Sequence, residues 1–109
     1  MEVECNPIFG EVDELISLLG KSKLLHIMYV LHIQKGPLSF SQLKRRVESS
    51  STTVSRRLTE LENSGLIIRN ERDTKPITVH YSLTDKAKLL APAIQSMYDW
   101  CAENKLSSH

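Results

Sequence analysis

Thr52, Thr53, Ser55, Arg56 and Arg57 crowd one short stretch of this chain, and their chemistry is that of polyanion recognition. Short hydroxyls hydrogen-bond phosphate oxygens, and a guanidinium pairs in bidentate fashion with phosphate or with guanine O6 and N7. No acidic residue interrupts the stretch until Glu60. Val54, Leu58 and Leu61 recur at i, i+4 and i+7, the apolar stripe of an amphipathic helix. That stripe turns the hydroxyls and Arg56 outward and puts Arg57 on the flank. Ser50 or Ser51 is placed to cap the first turn, and Gly65 to end the helix. Taken alone, the stretch fits an ordinary surface helix equally well.

Two other groups of cations accompany it. Ser39 and Gln42 have the spacing of a capping box that opens a helix through Phe40, Leu43 and Val47. Lys44, Arg45 and Arg46 lie on its outer side, where at least one is expected to be merely solvated. Further on, Leu66-Ile67-Ile68 and Ile77 to Leu83 are β-branched or aromatic, while Arg69 to Pro76 between them is polar. That pattern predicts a hairpin whose long tip bears Arg69, Arg72 and Lys75.

Other chemistries are poorly represented. Cys5 and Cys101 lack zinc-type spacing, and His26, His32, His80 and His109 are scattered, so no metal site and no cofactor are expected. There is no nucleophile–base pair, paired carboxylate or Gly-rich phosphate loop, so no enzyme is expected either. Hydrophobic residues make up 40% and charged residues 25% of the 109, the mix of one globular domain. No apolar run approaches a membrane span, and the start MEVE is unlike a secretory signal; the reading is cytoplasmic, with no membrane partner.

The net charge of +1 hides an asymmetry. Residues 1–20 hold five carboxylates and no base, whereas residues 41–83 hold eight bases against five acids. The middle of the chain is therefore the part suited to a phosphate backbone.

The elements that would position these residues follow in order. Pro7 to Leu19 has Ile8, Val12, Leu15, Ile16 and Leu19 at helical spacing, and Phe9 and Leu18 widen the apolar face, so this helix should pack on more than one side. Ser22 to Gln34 is apolar nearly all round and should be the central helix, stopped by Gly36-Pro37. The helices opened by Ser39 and Ser50 are joined by a short turn, the helix-turn-helix pattern. A hairpin directly after the second makes a winged helix. Thr84 caps a last helix through Leu89, Leu90, Ala93, Ile94, Met97, Tyr98 and Cys101, with a kink or restart expected at Pro92. Val12, Ile16, Ile94, Met97 and Tyr98 offer apolar surface that suggests a homodimer contact.

The chain resembles the HxlR-type winged-helix transcriptional regulators, cousins of the MarR group. The matching pieces are GKSKLL (20–25), GPLSFSQLKR (36–45), VSRRLTELENSGLI (54–67) and VHYSLTDKA (79–87), spread over about residues 5 to 100. The resemblance implies a homodimer on double-stranded DNA, with the N- and C-terminal helices in the dimer contact. The family usually has tryptophan within the motif that reads GKSK here, where this chain has Ser22. Many members carry a cysteine immediately before proline, used in some as a redox sensor; the candidate here is Cys5, separated from Pro7 by Asn6.

The fold class expected is α+β, a winged helix-turn-helix with added N- and C-terminal dimerisation helices. Residues 1–20 and 84–109 would dimerise, 39–65 form the helix-turn-helix and 66–83 the wing. Arg56, with Thr52, Thr53 and Ser55, would face base edges. Lys44, Arg45 and Arg57 would contact phosphates, and Arg69, Arg72 and Lys75 would serve the wing. Nothing in the residues supports a small-molecule or redox effector. The alternative is a winged-helix module that binds protein without DNA, whose mark would be an apolar or acidic patch in place of the basic helix and wing.

Overall fold

The computed structural model describes residues 7–73 and 75–106. Cys5 and His109 lie outside them. The order is α1 (Pro7–Leu19), α2 (Leu24–Gln34), β1 (Leu38–Ser39), α3 (Phe40–Val47), α4 (Ser51–Asn63), β2 (Ile67–Arg72), β3 (Thr78–Leu83) and α5 (Asp85–Glu103). This is the expected α+β winged helix-turn-helix. No helix among the described residues is long and apolar enough to cross a membrane.

α2 is the centre. Leu24, Ile27, Met28, Val30 and Leu31 are buried on it, and α3, α4, α5 and the sheet pack around them. It begins two residues later than its apolar pattern suggested, because Lys23 takes a left-handed conformation with φ 70°. Around it, Leu43 and Val47 of α3 and Val54, Leu58 and Leu61 of α4 close the core, so the stripe read from the sequence is the buried one.

The turns are fixed by local hydrogen bonds that were legible. Ser39 Oγ accepts from the Gln42 N–H at 3.2 Å while Gln42 Oε1 accepts from the Ser39 N–H at 2.8 Å, completing the capping box on α3. Ser50 Oγ accepts from the Thr53 N–H at 3.2 Å and starts α4. At the other end, the Leu66 N–H reaches the Leu61 carbonyl and the Gly65 N–H the Glu62 carbonyl, the paired bonds of a Schellman motif. Gly65 holds φ 75° there, where a side chain would be strained.

Thr84 joins two elements with one hydroxyl. Its Oγ1 donates to the Gly65 carbonyl at 2.8 Å and accepts from the Ala87 N–H at 3.1 Å. The end of α4 is thereby tied to the start of α5, and a cap of this kind is worth about 1 kcal/mol.

The sheet is antiparallel in the order β1-β3-β2. Pairing of Ile67 with Leu83, Arg69 with Tyr81 and Arg72 with Thr78 carries β2 through the polar residues to Arg72. The hairpin tip is therefore shorter than expected, and Arg69 lies within a strand rather than on the tip. Backbone pairing with β3 extends the strand regardless of side-chain polarity.

The terminal helices follow their expected pattern only in part. α1 packs against α2 and buries no residue fully, so it does not pack on several sides of this chain. α5 runs unbroken through Pro92, without a restart; Pro92 is exposed on it. Ile94 is buried in the core, and Tyr98 stacks on Tyr29 with ring centroids 3.8 Å apart and planes 3° from parallel. Neither belongs to the free surface. Burial, with smaller contributions from Tyr29 and Cys101, pushes the Tyr98 hydroxyl up to about 12. It stays protonated and hydrogen-bonded to His26 Nδ1.

What α5 leaves exposed is the opposite stripe of Leu89, Ala93, Met97 and Trp100, spaced four, four and three residues apart. On α1, Ile8, Phe9, Val12 and Ile16 are 46–64% exposed. Cys101 is a free thiol exposed on α5.

Candidate nucleic-acid interface

α4 presents its N-terminal half to solvent because the apolar stripe occupies the other side. Thr52, Ser55 and Arg56 are exposed, and Thr53 is half-buried with its hydroxyl accepting from Ser50 Oγ at 3.1 Å. Thr53 therefore serves the cap as well as the surface. The Arg56 guanidinium has no ion-pair or hydrogen-bond partner among the described residues. An unpaired guanidinium beside two short polar side chains, on the first two turns of a capped helix, has the geometry needed to enter a major groove.

Arg57 is placed differently from the phosphate contact expected of it. Its side chain is 14% exposed, Nη1 donates to Glu60 Oε1 at 2.8 Å, and the buried Nε has no partner among the described residues. Position 57 lies three residues from both Val54 and Glu60, so the stem follows the core edge and the head meets the carboxylate one turn on. Lys21, from the turn between α1 and α2, approaches the other oxygen of Glu60 at 3.7 Å. The sequence reading missed this cluster, although Glu60 at i+3 from one arginine and i+4 from the other was a visible signal.

Lys44 and Arg45 are exposed at the end of α3 and line a shallow depression with Ser41, Glu48, Ser49 and Ser50. The structure brings them beside the start of α4, at the turn where Glu48 takes φ 53°. Arg46 faces away and donates to Gln34 Oε1 on α2 at 2.9 Å. Ser49 and Ser50 are polar members of this surface that composition alone did not single out.

The wing divides its cations between two faces. Strand alternation puts Arg69 on the face of Ile67 and Tyr81, and Arg72 on the other with Ile68 and Asn70. Arg69 Nη1 donates to Glu71 at 2.8 Å, and that bond, with Tyr81 beside it, raises its already high pKa. Arg72, at the end of β2, and Lys75, in the connection, are exposed without an ion pair among the described residues. No group of three His, Cys, Asp or Glu side chains able to hold a metal occurs among the described residues.

A three-stranded sheet behind a helix-turn-helix defines a winged-helix protein, and comparison with known proteins makes the class specific. The HxlR-like helix-turn-helix family matches residues 18–109, and the chain belongs to that family. It is 37% identical over 91 residues to an uncharacterised HTH-type transcriptional regulator of Halalkalibacterium halodurans, covering 83% of this chain and 80% of that one. It is 30% identical over 96 residues to the HTH-type transcriptional regulator YodB of Bacillus subtilis, 87% and 84% of the two chains. The solved reduced form of YodB superimposes with a TM-score of 0.74 at 28% identity, over 93% of this chain and 94% of that one. The oxidised form of the redox regulator HypR superimposes at 0.75 with 26% identity, over 89% and 99%. The chain is thus a transcriptional regulator of winged helix-turn-helix type.

Proposed function

We propose that this regulator is a homodimer that binds double-stranded DNA sequence-specifically, with α4 in the major groove and the β2–β3 wing over the flanking backbone or minor groove. The observation that carries the reading is Arg56, unpaired among the described residues on the exposed half of α4, with Thr52 and Ser55 beside it. Lys44 and Arg45 contact phosphates at the entry to α4; Arg72 and Lys75 do so from the wing. Thr53 has a lesser part, and Arg57 and Arg69, each engaged by a carboxylate, are not primary contacts. An acidic or apolar patch in place of the basic helix and wing would have favoured a protein partner, and α4 and the wing instead expose Arg56, Arg72 and Lys75.

The domain divides accordingly: 39–65 as helix-turn-helix, 66–83 as wing, 1–20 and 84–109 as dimerisation segments. Phe9, Val12 and Ile16 on α1 and Leu89, Met97 and Trp100 on α5 are large apolar side chains left 46–85% exposed in one copy. Obligate dimer contacts are built from such surfaces. Light scattering at micromolar protein is expected to return the mass of two chains. A mass of one chain refutes the dimer.

A further inference from the structure

Glu60 stands one helical turn beyond both arginines of α4, four residues from Arg56 and three from Arg57, so either is within reach of its carboxylate. Among the described residues it pairs with Arg57, at 2.8 Å, and with Lys21, at 3.7 Å, and not with Arg56. Arg57 is largely buried beside the core, and Lys21 comes from the turn between α1 and α2. Arg57 takes up this role at 14% exposure with its Nε unpartnered, an arrangement that costs desolvation and gains little as a simple i,i+3 surface pair.

We infer that Arg57 and Lys21 are positioning residues that hold the Glu60 carboxylate off Arg56, keeping the reading guanidinium free. The inference rests on the DNA-binding reading of Arg56. Without the hold, Glu60 pairs with Arg56 and does two things to a bound duplex. It competes with the base edge for the guanidinium, and it brings a negative charge toward the phosphates. Lys21 sits between α1 and α2, so the charge pattern of the reading face depends on the seating of the α1–α2 turn.

The test is a rescue. Arg57→Met keeps an apolar stem over the core and removes the cation; Glu60→Gln removes the charge it holds. In the free protein, the Arg56 Nε–Hε resonance, followed by NMR, is expected to shift in Arg57→Met and to return in Arg57→Met/Glu60→Gln. Lys21→Met, at a half-exposed position, gives a smaller shift of the same sign. On a selected DNA site, Arg57→Met is expected to weaken binding at least about threefold, the scale of coupling between neighbouring charges, and the double variant to recover it. Random DNA responds less. An unshifted Arg56 resonance, or a loss in Arg57→Met that Glu60→Gln does not restore, overturns the inference, because a purely structural arginine is not rescued by removing its carboxylate. A wild-type protein that binds no DNA sinks the regulator reading instead, and the resonance still decides the hold on Glu60.

Discussion

Arg56→Ala is expected to lower affinity for a specific site by roughly 1–3 kcal/mol, about fivefold to 150-fold, and to relax preference at one base position. Affinity for random DNA should fall far less. The reason is position: Arg56 is on the exposed face of α4, with no partner among the described residues to give up. Arg72→Ala and Lys75→Ala should behave otherwise. Both residues sit at the end of the hairpin, where a backbone contact reads charge and not sequence. Each substitution should weaken specific and random DNA alike and flatten the salt dependence by about one unit. Titrations of the three variants against both DNAs at several salt concentrations separate the two kinds of contact. Equal losses on both DNAs for Arg56→Ala would make it a phosphate contact.

The double substitution Ile16→Asp/Met97→Asp is expected to yield a folded monomer and to cut operator affinity by about 10²–10⁴-fold, the loss that follows when two linked half-sites are no longer engaged together. Ile16 is 60% and Met97 49% exposed, so neither change opens the core of one chain. Circular dichroism should be unchanged while light scattering falls to one chain mass. A double variant that stays dimeric would place the contact elsewhere on the surface.

Much of this was readable beforehand because it is local. The Ser39–Gln42 capping box, the Ser50 cap, the left-handed Gly65 and the Thr84 cap each depend on side chains within a few residues of the backbone they serve. What was not readable depends on neighbours distant in the chain. α5 is apolar on two sides, and its periodicity alone does not tell the inner side, with Ile94 and Tyr98, from the outer, with Leu89, Met97 and Trp100. The strand through Arg69 to Arg72 exists because β3 lies alongside, not because those residues favour strands. Arg57 looked like a flanking phosphate contact until Lys21, 36 positions earlier in the sequence, and Glu60 were seen together beside it. The cluster that departs most from the pattern is also the one with the most to say about how Arg56 stays free.

The most direct test is selection of bound fragments from a random duplex library by the wild-type protein. The expected result is enrichment of a two-fold symmetric site with half-sites separated by roughly 10 base pairs or a multiple of that spacing, as two recognition helices on one dimer require. Recovery of no enriched sequence, or of an asymmetric single half-site, would contradict a dimeric regulator that reads DNA through α4.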